Sequence, residues 1–135
     1  MPRRIIRLLS AALAVTAAAR LARRPVAYEI ADHSMEPALR PGDWILGVRR
    51  PRARRGDVVV FDHPRRPGFA LVKRVTAGPG DQVGGTLLGP DQVWVLGDNP
   101  AAGSVDSRRL GPIPIGLLHA RLLVRYRPWP PARVR

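Results

Sequence analysis

The sequence contains no cysteine in 135 residues. Disulfides, thiolate zinc sites and a cysteine nucleophile are therefore excluded. Histidine is scarce too. Only His33, His63 and His119 are present, a poor basis for a histidine metal cluster. Aromatic residues make up 5% of the chain, so stacking platforms for nucleic-acid bases are thin and a nucleic-acid module would depend on phosphate contacts alone. Serine occurs four times, asparagine once and lysine once.

Arginine is what the chain has in excess. Of 23 basic residues, 22 are arginine and one is Lys73, and the formal net charge is +13. Such a charge calls for anionic surroundings, either lipid head groups or nucleic acid. A chain that meets nearly every need for a cation with arginine has a reason to keep one lysine. Arginine stays protonated at any pH a protein meets, whereas a buried lysine can release its proton and act as a base. Chance retention under a strong arginine bias is the plain alternative, and it stands until a chemical partner is found.

The length allows one domain of ordinary size plus a short appendage. Fifteen prolines and thirteen glycines suit short strands joined by tight turns, so a mostly β fold is expected. At the amino terminus Arg3, Arg4 and Arg7 precede Leu8 to Ala19, twelve residues without a charge, and Arg20, Arg23 and Arg24 follow. A membrane span needs about 20 apolar residues. Ile5 to Ala22 approaches that length only if Arg7 and Arg20 snorkel to the interfaces. Three readings of residues 1–24 stay open: a single-span anchor, an interfacial helix held by arginines, and an alanine-rich helix of a soluble protein. A removable secretory signal is disfavoured, because basic residues follow the apolar part.

From Pro25 onward the pattern is of strands. Val26 to Ile30 alternates and leads into Asp32-His33-Ser34-Met35-Glu36-Pro37, where the prolines forbid a long helix, so Ser34 is expected at a strand end or in a turn. Trp44 to Arg49 reads as a strand, and Arg50 to Arg55 as a solvated basic loop. Val58 to Phe61 reads as a strand buried on both faces, and Pro64 to Gly68 as a turn. Phe69 to Thr76 is the next strand. Its alternation puts Lys73 on the apolar face with Leu71 and Val75, and Arg74 on the other. Gly84 to Pro90 is a hairpin or loop, Gln92 to Leu96 a strand, and Gly97 to Arg108 a polar loop of the kind that carries function. Leu122 to Tyr126 is the final strand, followed by a loose tail from Pro128 to Arg135.

Three separated segments thus carry unusual polar chemistry: Ser34, Lys73 and the loop from Ser104 to Arg108. Serine is a weak nucleophile until a base takes its proton, and a serine–lysine pair is an alternative to the histidine triad. For that role Lys73 must titrate well below its usual value of about 10.4, and burial among valine and leucine supplies the shift by disfavouring the charged form.

At this point the residues resemble a family. Ser34-Met35-Glu36-Pro37-Ala38-Leu39, Arg55-Gly56-Asp57-Val58-Val59-Val60-Phe61, Lys73-Arg74-Val75 with Gly78-Pro79-Gly80-Asp81, and Gly97-Asp98-Asn99 with Ser104-Val105-Asp106-Ser107-Arg108 are similar to the four ordered sequence boxes of type I signal peptidases. The compact size and the Gly97-Asp98-Asn99-Pro100 opening look most like the small branch of nickel-type superoxide dismutase maturation proteases. The resemblance covers about residues 26 to 127.

It implies antiparallel β-sheets around a serine–lysine peptidase domain over residues 25–135, with residues 1–24 as a short amino-terminal helix and candidate membrane anchor. Ser34 would be the nucleophile and Lys73 the general base, Ser104 would hydrogen-bond and orient the amine, and Asp106 and Arg108 would form a supporting ion pair. The backbone amide of Ser34 would contribute to the oxyanion hole. Many relatives carry serine or glycine two residues before the nucleophile. Here that residue is Asp32, and an ionised carboxylate cannot donate a hydrogen bond. Pro100 replaces a frequent arginine, and the loop from Asn99 to Ser104 is one residue longer.

His33 reads as a local hydrogen-bonding residue rather than a base, and Met35 as either a cleft or a core residue. The implied activity is a serine endopeptidase without metal or cofactor, removing an amino-terminal leader or pro-segment from a precursor protein, nickel superoxide dismutase being one candidate. The expected location is at a membrane, with an anionic surface as partner, or else the cytoplasm. Nucleic acid is not an expected partner. Two rivals remain: an autocleaving repressor-type serine–lysine peptidase, against which no helical DNA-binding pattern precedes Val26, and a non-enzymatic arginine-rich protein that binds membrane or nucleic acid.

Overall fold

The computed structural model of the protein describes residues 24–49 and 52–135. The helix expected over residues 1–24 lies outside them except for Arg24, as does part of the basic loop, Arg50 and Pro51. Ten strands follow in order: β1 Pro25–Glu29, β2 Trp44–Arg49, β3 Val58–His63, β4 Arg66–Ala77, β5 Gln82–Val83, β6 Thr86–Leu87, β7 Gln92–Leu96, β8 Ile113–Pro114, β9 Leu118–Arg127 and β10 Ala132–Arg133. One α-helical turn, α1 Ser107–Leu110, stands between β7 and β8. The fold is mostly β and the pairings are antiparallel. Among the described residues no helix is long and apolar enough to cross a membrane.

The main sheet runs β1-β2-β9-β3-β4-β7-β8, with β10 added beside β9, while β5 and β6 form a separate hairpin. β3 lies between β9 and β4 and is buried on both faces from Val58 to Phe61. Val58 and Val60 point into one apolar cluster with Ile30, Met35, Leu39, Ile45 and Leu122. Val59 and Phe61 point into a second with Leu71, Val75, Val93, Val95 and Ile113. Successive side chains of a strand leave on opposite faces, so a strand covered on both sides must be apolar at every position. Each of these side chains contributes about 1.5–3 kcal/mol by leaving water.

Several boundaries differ from the sequence expectation. The strand expected from Phe69 begins at Arg66, because β3 runs on to His63 and pairs with it across a bulge. Gly84 and Gly85, with φ of +54° and +84°, make the two-residue turn between β5 and β6, a left-handed conformation that glycine adopts without cost. The tail is not loose throughout. Ala132 and Arg133 pair with β9, the Val134 amide donates to the Leu123 carbonyl at 2.9 Å, and Val134 packs against the first cluster. Two paired residues just after Pro130 and Pro131 give no period for a sequence pattern to reveal.

Candidate active site

Ser34 lies in the turn after β1. That turn is closed at its base by the Ile30 amide donating to the Asp43 carbonyl at 2.9 Å and the Gly42 amide to the Ile30 carbonyl at 2.8 Å. Buried Asp43 caps it from within, its carboxylate accepting from the Arg40 amide at 2.9 Å. Met35 and Leu39, both fully buried, plug the turn into the first cluster. Met35 is therefore a core residue here. Ser34 itself is 3% exposed.

Lys73 comes from β4, where Leu71, Lys73, Val75 and Ala77 are buried and the residues between them are not. This is the face expected from the alternation. Lys73 is 1% exposed, and its Nζ donates to Ser34 Oγ at 2.8 Å and to the Val72 carbonyl at 2.8 Å. Burial pushes the amine below its ordinary pKa, against the charges of Asp32 and Asp106, which act to raise it. A neutral amine at this distance can receive the hydroxyl proton.

A third element clips the other two together. The Asn99 amide donates to the Ser34 carbonyl at 2.9 Å, and Asn99 Nδ2 donates to the His33 carbonyl at 3.0 Å. Gly97 passes so close that a Cβ there would stand 2.6 Å from Ser104 Oγ and 2.9 Å from the Ser34 carbonyl oxygen. Asp98 receives two hydrogen bonds from Arg74, at 2.8 and 2.6 Å, which fastens the strand end of β7 to β4. The sequence reading assigned no role to Gly97, Asp98 or Asn99. The available signals were their place in the last of the four sequence boxes and that Asn99 is the only asparagine in the chain.

The loop after β7 brings Ser104 to the cavity beside Lys73, but with a different bond from the one expected. Ser104 Oγ donates to Asp106 Oδ2 at 3.3 Å, and the hydrogen bonds of Lys73 go to Ser34 and Val72. The reason lies in Asp106, a fully buried carboxylate that must collect donors to remain ionised. It accepts from Gly97 N at 3.1 Å, from Arg108 N at 3.1 Å, and from Arg108 Nε and Nη2 at 3.0 and 2.6 Å. Burial alone would raise its pKa, but the hydrogen bonds from Arg108 and Gly97 outweigh it and hold the carboxyl below the usual range. The expected Asp106–Arg108 pair is thus present. Ser107, also buried, accepts from the Val95 amide at 2.9 Å and ties α1 to β7.

Asp32 departs most from expectation. Its Oδ1 accepts from the Ser34 backbone amide at 2.9 Å, so the N–H assigned to an oxyanion hole already has a carboxylate on it. His33 is exposed, and its Nδ1 lies 3.2 Å from Glu36 Oε1. A cavity of about 370 Å³ opens over the serine and lysine, walled by Asp32, Phe69, Leu71, Gly103, Ser104 and Val105.

Residues 3–86 match the sequence model of the family described as signal peptidase, peptidase S26. The chain belongs to the S26 signal peptidase family. It is 36% identical over 118 residues to mitochondrial inner membrane protease subunit 2 of Mus musculus, an alignment covering 74% of this chain and 65% of that protein. Against subunit 1 of the same mouse protease it is 32% identical over 111 residues, covering 72% and 65%. Against signal peptidase I of Buchnera aphidicola it is 35% identical over 77 residues, covering 45% of this chain and 25% of the relative. The chain therefore spans slightly under two thirds of the mouse subunits' length. The S26 family match spans both the Ser34 turn and Lys73, the two residues that the fold brings into contact.

Proposed function

We propose that the protein is a serine endopeptidase that removes an amino-terminal leader or pro-segment from a precursor protein, with Ser34 as nucleophile and Lys73 as general base. The observation that carries this reading is the 2.8 Å contact between Ser34 Oγ and the Nζ of a buried lysine. Neutral Lys73 takes the hydroxyl proton as Oγ attacks the scissile carbonyl. The resulting ammonium then gives that proton to the leaving amine, and Lys73 repeats the service for the water that hydrolyses the acyl-enzyme. Ser104, Asp106 and Arg108 hold the loop that walls the site, and Ser104 acts on Lys73 through the Asp106 charge rather than by direct contact.

The extended substrate has a place to lie. β4 pairs with β3 from Arg66 to Arg74 along one edge and with β7 only from Arg74 onward along the other. Between Phe69 and Lys73 that second edge has no partner among the described strands, and it borders the cavity. A peptide added there gains ladder hydrogen bonds. The modest cavity behind Phe69 and Leu71 suits small side chains next to the cut.

The test is cleavage of a precursor by purified full-length protein and by Ser34→Ala, Lys73→Ala and Lys73→Arg. Each variant loses cleavage while keeping the far-ultraviolet circular dichroism of the parent; full activity of Lys73→Arg would overturn the mechanism. Offering a nickel superoxide dismutase precursor and a secretory precursor in parallel, and sequencing the new amino termini, identifies the substrate. The relatives named as inner membrane protease subunits and the arginine-flanked apolar segment support work at an anionic membrane surface. Fractionation of the full chain against one starting at Pro25 tests that location.

A further inference from the structure

Attack on a carbonyl by Ser34 Oγ turns the substrate's carbonyl oxygen into an oxyanion on the carbon now bonded to Oγ, and the backbone N–H of the attacking serine is a donor suited to it. In this structure that N–H points at the carboxylate of Asp32, 2.9 Å away. The contact spans two residues, as in the local turns that aspartate makes with its own backbone. A carboxylate on that donor opposes an oxyanion there, because two negative oxygens brought to one N–H repel each other.

Asp32 also bears on the base. Its charge acts to raise the proton affinity of Lys73, in opposition to the burial that makes the amine a base. The groups facing Asp32 are Ser34 and the adjacent His33 in its own turn and Lys73 from β4; Asp106, from the loop after β7, faces the same amine. Burial would raise the Asp32 pKa, but the bonds with Ser34 and the charges of Lys73 and His33 bring it below the ordinary carboxylate value, so it is ionised at neutral pH. Asp32 is exposed at the mouth of the cavity. Its carboxylate can swing into water by side-chain rotation alone.

We infer that Asp32 is a positioning residue that restrains the reaction: its carboxylate occupies the Ser34 N–H and sets a negative charge facing Lys73 across the cavity until a bound substrate displaces it. This inference rests on the serine–lysine reading above. The two substitutions that separate its parts are Asp32→Ala, which removes both the acceptor and the charge, and Asp32→Asn, which removes the charge and keeps an acceptor oxygen for the Ser34 amide.

The experiment measures kcat/KM for a precursor peptide from about pH 5 to 10 on the full chain and both variants, with Ser34→Ala as control. Asp32→Ala is expected to cleave about tenfold faster than the parent near neutrality, within the worth of one oxyanion donor. In both variants the rising limb of the pH profile moves to lower pH, and the plateau gain is smaller for Asp32→Asn. A second readout needs no substrate. Because Lys73 is the only lysine, labelling lysine Cε with carbon-13 yields one resonance, whose titration midpoint falls in both variants. Asp32→Ala no faster than the parent, or a lysine midpoint unmoved in Asp32→Asn, overturns the inference. Cleavage by Ser34→Ala equal to the parent would instead overturn the serine–lysine reading, so the two failures are distinguishable.

Discussion

The two apolar clusters on either side of β3 hold the two halves of the site by different means. The second cluster holds Lys73 on a long strand, with Leu71 and Val75 buried on the same face two residues away in each direction. β4 is paired with β3 beneath it and with β7 just beyond it. The first cluster holds Ser34 on a turn, through the plugs Met35 and Leu39 and through the Asn99 clip from a separate loop. A strand position is over-determined by its ladder, whereas a turn position depends on a few individual contacts. The lysine side should therefore respond to mutation through global stability, and the serine side through rate at nearly constant stability.

The largest expected effect breaks that comparison if it fails. Phe61→Ala, in the second cluster, should cost about 3–5 kcal/mol of stability, read as a lower urea midpoint with m unchanged, while kcat/KM of the protein still folded stays near the parent value. Loss of rate at full occupancy of the folded state would mean that both halves are equally delicate.

Gly97→Ala is the converse. The new Cβ meets a backbone oxygen of Ser34 and the hydroxyl of Ser104 inside 3.0 Å, and the shift it forces moves the nucleophile. Misplacement by about 1 Å costs on the order of a hundredfold in rate, against an overpacking cost of about 1–3 kcal/mol. Kinetics on the folded fraction should show the larger change, and unchanged kcat would remove the clip from the account.

The smallest effect sharpens the lysine side. In the folded state the pKa of Lys73 lies below its unfolded value, so between those two values the unfolded chain binds more protons and stability rises with pH. The cost of burying the amine is thus fully present below the folded pKa and fades as pH climbs toward about 10.4. Lys73→Met should raise Tm by a few degrees at neutral pH, with an advantage that shrinks at alkaline pH. A constant difference across pH would mean that packing, not charge, sets it.

What was legible in the sequence follows these regions. β2 and β7 ended where expected, and the alternation along β4 placed Lys73, because period-two patterning is a local property. The double burial of β3 was legible for the same reason, from an unbroken run of four apolar residues. The partner of Ser104 was not legible. Its hydroxyl went to Asp106 because a buried carboxylate competes for every donor within reach, and which donors are in reach is a matter of loop path. Nor was Asn99 legible as the clip, since its bonds reach 66 positions back along the chain to the turn at His33.

The sequence by itself determined that one lysine would sit in an apolar strand, desolvated and unlike every other cation in the chain. The resemblance implied Ser34 as its partner, but only the tertiary structure brought the amine to that serine, 39 positions away, at 2.8 Å, and gave the amide of the same serine to Asp32. Burial of a strand residue follows from its immediate neighbours. Contact between a strand and a turn depends on how two clusters pack against opposite faces of β3, and no local pattern carries that information.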